Sequence, residues 1–260
     1  MANYDVIGNI AIVKFQNIKV DSKGKKKWAE EFLIKNKSVR TVLEKTEKFS
    51  GRLRTLKTKY LAGEKTKEAL YKENDCVFRL NVETCYFSPR LNSERKEIAL
   101  MVKNREKVLV MFGGVAPFAT VIGKFSKAEK IVSVELSKEC NRYAIENVKR
   151  NKLTNKIEII KGDVKKVFRK IKDKFEVIVM ARPNLKESFL KEAFSKVKKN
   201  GRIYYYGFYH EIEVKAGILD ELIEGEAKKA KKKIKITGIK KAGDIGPHKF
   251  RWRADIKVLT

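Results

Sequence analysis

The sequence predicts an α/β fold in two parts: a small α/β unit over residues 1–75 and a larger domain over residues 76–260 built on a mostly parallel sheet. Three observations predict it. After residue 93, β-branched runs of strand length alternate with segments of helical period, the pattern of a parallel sheet covered by helices on both faces. One of those strands, residues 107–111, runs directly into Phe112-Gly113-Gly114, and glycines there permit a tight turn and the close approach of a ligand. Before residue 75 the strand signals are short, broken by turns and lack that alternation.

The elements follow in order. Residues 6–13 alternate and are β-branched, so they read as a strand or hairpin. Residues 27–36 carry Trp28, Phe32 and Leu33 at helical spacing, and residues 38–43 return to strand. Residues 51–54 and 60–64 read as strand ends and turns. Residues 77–82 form the next strand. Helices are expected over 95–104, 117–124, 138–151 and 186–198, with Cys140, Tyr143, Ala144 and Val148 along one face of the third. Strands are expected over 107–111, 130–135, 156–161, 175–180 and 201–206. Ligands of such sheets bind beyond the C-terminal strand ends. The glycine turn, Glu135, Asp163 and Ala181-Arg182-Pro183 all fall there.

Composition narrows the partners. The net charge is +29, from 61 Lys+Arg against 32 Asp+Glu. Such a field attracts polyanions from a distance, so nucleic acid and anionic membrane are the candidates. A lysine-rich composition suited to a high working temperature is the alternative; it would explain many of the charges, but not this near two-to-one excess. Residues 226–241 hold eight lysines, either a solvated helix face leading into a strand or part of an RNA track. No apolar run approaches the ~20 residues that span a bilayer. Met1-Ala2-Asn3-Tyr4-Asp5 carries no charged leader before an apolar stretch, so no secretory signal is expected. Cys76, Cys85, Cys140, His210 and His248 are scattered. They read as packed or surface residues without a metal, in a reducing cytoplasm.

Glu135 closes the second strand of the sheet domain, where a carboxylate can accept both hydroxyls of a ribose. Asp163 follows the third, where an adenine amino group would lie, although a helix cap is the generic alternative. Two acids behind a glycine turn are similar to the Rossmann-like S-adenosylmethionine-dependent methyltransferases. A dehydrogenase fits less well, because the turn is not Gly-x-Gly-x-x-Gly.

A longer segment is more specific. Cys85-Tyr86-Phe87-Ser88-Pro89-Arg90-Leu91-Asn92-Ser93-Glu94-Arg95 stands just ahead of Val108-Leu109-Val110-Met111-Phe112-Gly113-Gly114-Val115-Ala116-Pro117-Phe118. Together they closely resemble the archaeal and eukaryotic tRNA methyltransferases that modify the purine at position 37, beside the anticodon. The resemblance also takes in Tyr4-Asp5-Val6-Ile7-Gly8-Asn9, Leu61-Ala62-Gly63-Glu64, Glu146-Asn147-Val148-Lys149-Arg150-Asn151 and Gly246-Pro247-His248-Lys249-Phe250-Arg251. It implies a Rossmann-like methyltransferase domain behind a small α/β domain, with S-adenosylmethionine as cofactor. The implied partner is tRNA, through its anticodon stem-loop, met by a monomer with no metal and no membrane.

The resemblance also implies roles. Glu94 falls on the general base that takes the N1 proton of guanine, and Arg54 on the cation that supports O6. Without it, Glu94 reads as a helix cap and Arg54 as a solvated cation. Tyr86, Arg95, Phe112, Gly113, Gly114, Glu135, Asp163 and Val164 fall on the cofactor pocket. Arg90 is implied as RNA or pocket support, and Ala181, Arg182 and Pro183 as the loop beside the target base. Three departures stand out. Val110 and Ala116 replace an Asp and a Gly common in the family, and Ala181-Arg182-Pro183 replaces Asn-Leu-Pro or Pro-Leu-Pro. The last points to wyosine-type activity or altered base recognition. An extra N-terminal domain that some members use to inspect the tRNA elbow is not expected. Three functions compete: transfer of methyl to N1 of G37, with or without a wyosine precursor as second substrate; transfer of the aminocarboxypropyl group; and RNA binding without chemistry.

Overall fold

The computed structural model describes residues 2–15, 20–47, 51–181 and 187–260. The N-terminal unit opens with a hairpin, β1 (Asn3–Ile7) and β2 (Ile10–Lys14). Its turn needs glycine: Gly8 has φ +57°, and a Cβ there would stand 2.0 Å from the Leu70 carbonyl oxygen. Helix α1 (Ser22–Lys35) follows, capped by Asp21, whose side chain accepts the Gly24 N–H at 2.8 Å. It starts well before the expected residue 27, because a lysine-rich first turn shows no apolar period. β3 (Thr41–Lys45) lies parallel to β2, and β4 (Thr58–Gly63) antiparallel to β3. Ala29 and Phe32 of α1 pack on Ala11, Val13, Val42 and Leu61 of this sheet.

β5 (Glu68–Glu73) and β6 (Cys76–Asn81) form a separate hairpin, turned by Asn74 and Asp75 at φ 45° and 49°. Two left-handed residues are what a tight two-residue hairpin turn requires. β5 was not expected, and a division between residues 75 and 76 falls at this turn. A 3-10 turn (Pro89–Leu91) leads into α2 (Asn92–Met101).

The large unit then alternates: β7 (Lys107–Met111), α3 (Pro117–Phe125), β8 (Lys130–Glu135), α4 (Lys138–Arg150), β9 (Ile157–Lys161), α5 (Val164–Val167), β10 (Phe175–Met180), α6 (Leu190–Lys196) and β11 (Val197–His210). It ends with α7 (Glu211–Lys215), α8 (Ile218–Lys229), β12 (Ile234–Gly246) and β13 (Lys249–Val258). The sheet order is β12-β13-β11-β10-β7-β8-β9. β11 to β9 are mutually parallel, and β13 and β12 close the edge antiparallel. The period of two sends Val108 and Val110 to one core and Leu109 and Met111 to the other. Asn147 on α4 and Asn151, its C-cap, grip β6: each accepts a backbone N–H of Arg79 or Val77 and donates to the carbonyl of the same residue. The β5–β6 hairpin is thereby fixed to the sheet domain.

Several expectations shift. The helix expected over 186–198 is only Leu190–Lys196, and the strand expected over 201–206 runs from Val197 to His210. The lysine-rich stretch is the end of α8 and most of β12, with Lys228, Lys229, Lys231, Lys233, Lys235 and Lys241 exposed. No described helix is long and apolar enough to cross a membrane.

Candidate active site

The chain leaves β7 for β8 on one side and returns to β10 on the other, so the sheet order reverses between β7 and β10. At that switch point the strand ends diverge and leave a crevice. A cavity open to solvent lies there. Its floor is Phe112 and Gly114 after β7, Glu135 at the end of β8, Asp163 and Val164 after β9, and Ala181 after β10. Its roof comes from elsewhere: Arg52, Leu53 and Arg54 from the N-terminal unit, and Tyr86 from the segment before α2.

Backbone groups build the floor. Phe112, Gly114 and Ala116 all have positive φ, at 61°, 55° and 66°, so the turn coils tightly into α3. Glycine is the ordinary occupant of such a conformation, and Ala116 holds it at some cost. Val110, the other departure, is a fully buried strand residue. The Gly114 N–H donates to Oε2 of Glu135 and the Ser137 N–H to Oε1, both at 2.8 Å. Burial pushes the Glu135 carboxyl above the usual range, and the backbone donors only partly offset it. The carboxylate keeps acceptor capacity beyond its backbone donors, which is what a ribose hydroxyl can use. Asp163 is the helix cap and also stands at the cavity, where the adenine contact was expected. Its Oδ1 caps α5 by accepting the Lys165 N–H at 2.9 Å, while the side chain lines the cavity. Burial raises its pKa, but the Arg52 guanidinium at 2.6 Å and the Lys165 N–H hold it below the usual carboxylate range. The acid pair, the glycine turn and the apolar walls at Val134 and Val164 fit a purine nucleoside cofactor.

Gly113 is beside the cavity and not in its wall. It is needed for packing, because a Cβ would meet Ser133 Oγ at 2.1 Å.

In the roof, the Arg54 guanidinium lies 3.9 Å from the centre of the Tyr86 ring. Burial lowers the Arg54 pKa, with Arg251 adding to it. Burial raises that of Tyr86, yet Arg251 and Arg54 outweigh it and leave the phenol lowered. Arg251 donates to the Tyr86 hydroxyl at 3.3 Å and lines the cavity itself.

Glu94 is buried in the first turn of α2 and does not cap it. Its Oε2 accepts from the Tyr206 hydroxyl and from Nη1 of Arg253, both at 2.9 Å, and its Oε1 pairs with Nζ of Lys240 at 3.0 Å. Two expected cofactor or substrate contacts are corrected. Arg95 does not line the cavity: it is buried in a two-pronged pair with Glu73 and donates to the Ser88 carbonyl at 3.1 Å. It therefore anchors the segment that carries Tyr86. Arg90 is exposed and pairs with Asp5 at 3.0 Å, outside the cavity. Arg182 and Pro183 lie outside the described residues. Among the described residues, no group of three His, Cys, Asp or Glu side chains is placed to hold a metal ion.

The sequence reading missed Arg52, Tyr206, Lys240 and Arg253, and it quoted Arg251 without a role. The signal was present in β13, where Phe250, Trp252, Ala254 and Ile256 alternate with Arg251, Arg253 and Asp255.

The family described as the TRM5/TYW2 methyltransferase domain matches residues 69–236, and the TYW2 N-terminal domain matches residues 1–66. The chain belongs to the TRM5/TYW2 methyltransferase family. It is 33% identical over 257 residues to a tRNA (guanine(37)-N(1))-methyltransferase Trm5b of Pyrococcus abyssi, covering 98% of this chain and 74% of that protein. It is 33% identical over 307 aligned positions to the tRNA (guanine(37)-N(1))/4-demethylwyosine(37)-methyltransferase Taw22 of Nanoarchaeum equitans, covering 99% of this chain and all of that protein. The crystal structure of the Pyrococcus abyssi Trm5b superposes with a TM-score of 0.86 at 31% identity, over 99% of this chain and 75% of that one.

Proposed function

We propose that this protein transfers the methyl group of S-adenosylmethionine to N1 of guanine 37 in tRNA. One juxtaposition supports the reading above all. The Ser-Pro-Arg segment places Tyr86, with Arg54 stacked on it, over the strand-end acids Glu135 and Asp163, and its continuation places Glu94 beside the same cavity through Tyr206. Relatives along nearly the whole chain carry this activity in their names. Glu135 holds the ribose, Asp163 and Val164 take the adenine, and Phe112 and Gly114 form the bed for the methionine end. The bound cofactor supplies a methyl carbon on a sulfonium. Arg54 is a fixed cation for the charge that develops on O6, and Glu94 is the final acceptor of the N1 proton. The base reaches the cavity only if it leaves its stack, and the anticodon stem-loop lies along the basic surface.

A second substrate has specific support. The relative matched over its full length acts on 4-demethylwyosine as well as guanine, and Ala181 stands where the family commonly has Asn or Pro. We propose that the tricyclic base is also methylated. An aminocarboxypropyltransferase of Methanocaldococcus jannaschii is 30% identical over 206 residues, but the Ser-Pro-Arg…Glu-Arg form belongs to the methyltransferase branch. The test is incubation with methyl-labelled cofactor and transcripts carrying G37, A37 or the precursor base, then mass spectrometry of nucleosides. The expected result is 1-methylguanosine from G37 alone among the two unmodified transcripts, and methylated precursor from the third. Label arriving only from the carboxyl-labelled cofactor would overturn the reading.

A further inference from the structure

The antiparallel registers of β11, β13 and β12 place Tyr206 opposite Arg253, and Arg253 opposite Lys240. Residues opposed in register project from one face. Three neighbouring strands therefore present a row of phenol, guanidinium and ammonium to one carboxylate, Glu94. The row is anchored. Arg253 also bonds Glu97, one turn along α2, at 2.8 Å and Asp255 at 2.7 Å, and Lys240 reaches the same Glu97. Only one member of the row lines the cavity, and it is Tyr206; Glu94 does not. Tyr206 thus touches both the cavity and the carboxylate, which its hydroxyl reaches at 2.9 Å.

We propose that Tyr206 carries the proton from the bound base to Glu94. The proposal rests on Glu94 being the base. The N1–H bond breaks as the Tyr206 oxygen takes that proton, and the Tyr206 O–H bond breaks as Oε2 of Glu94 takes the other. N1 keeps its electron pair and bonds to the methyl carbon, while the carbon–sulfur pair departs on sulfur. Tyr206 ends neutral, as it began. Its surroundings suit this. Burial raises the phenol pKa well above its ordinary value and the Glu94 charge adds to it, so the hydroxyl stays protonated. A neutral hydroxyl donates one proton and keeps two lone pairs. Arg253 engages one of them, leaving one to accept. Arg253 and Lys240 act as positioning residues that keep the carboxylate aligned with the phenol.

The test is Tyr206→Phe in single-turnover methylation of G37 tRNA. It is run beside Glu94→Gln, with direct binding of tRNA and cofactor and a solvent-deuterium inventory on the unaltered enzyme. A general acid–base link contributes about 10²–10⁴-fold, so the Phe variant should be slower by at least about 10-fold with both affinities kept. The wild-type inventory should curve, because two protons move together. This second readout needs no substitution and survives if the variant folds poorly. A Phe variant as fast as wild type beside an inactive Glu94→Gln, or a straight inventory, overturns the relay and leaves Glu94 as base. An active Glu94→Gln overturns the base assignment, and the relay with it.

Discussion

The two carboxylates beside the cavity are held in opposite ways. Glu135 sits on backbone: Gly114 and Ser137 N–H groups fix both oxygens, and no cation is bonded to it among the described residues. Glu94 sits on side chains: Tyr206, Arg253 and Lys240 surround it from three strands. The first arrangement leaves a buried acid under-stabilised, with its carboxyl raised by burial, and so ready for ligand hydroxyls. The second saturates a charge and fixes its direction. On the proposed function, binding rests on a local turn and proton handling on long-range contacts. Arg253 meets Glu94 across 159 positions of chain, whereas Gly114 meets Glu135 across 21.

If the two regions are independent, damage to one spares the other. The largest effect is expected from Arg253→Met. It strips a buried cation from Glu94, Glu97 and Asp255, and breaking such a network costs about 3–5 kcal/mol. Urea unfolding should register that loss, while calorimetry on the folded variant finds cofactor affinity within about a factor of two of wild type. Lost cofactor binding would break the comparison. Glu135→Ala tests the converse. A hydrogen bond to a charged group is worth about 1.5–3 kcal/mol, so the cofactor Kd should rise by at least about 10-fold, with tRNA affinity unchanged by filter binding.

The Arg52–Asp163 pair joins the roof to the floor, and its effect is smaller. Asp163 has a lowered pKa in the folded protein. Its contribution is therefore fully present above the unfolded carboxyl value and is lost as pH falls through the folded one. Arg52 is half exposed, so the pair is worth at most about 1 kcal/mol. Arg52→Gln should be that much less stable at pH 7, and the difference should vanish as acid protonates Asp163 in the folded protein. A difference that persists in acid would mean Arg52 acts otherwise. The smallest effect is expected from Ala116→Gly. It relaxes a left-handed φ of 66° and should raise stability by up to about 1 kcal/mol in thermal unfolding. A loss would mean that the packing of the Ala116 methyl outweighs the strain.

The same contrast decides what could be read in advance. The strand-end floor was legible, because a strand, a glycine turn and an acid at the next strand end are local patterns fixed by backbone geometry. Glu135, Asp163, Phe112 and Gly114 all line the cavity or bond within it. The surroundings of Glu94 were not legible. Charged residues in β12 and β13 read as surface, yet Arg251 and Arg253 are buried, and only sheet registry brings Tyr206, Arg253 and Lys240 into line. Arg95 misled for the complementary reason. It sits beside Glu94 in sequence, but the helix turns it to Glu73, on β5, a strand the periodicity did not reveal.

The account's central claim is that Glu94 accepts the N1 proton of a guanine bound over the Glu135–Asp163 floor. Single-turnover methylation of G37 tRNA by Glu94→Gln, with tRNA and cofactor binding measured on the same sample, tests it most directly. The account predicts a rate lower by about 10²–10⁴-fold with both affinities within about twofold of wild type. A wild-type rate in that variant would contradict it.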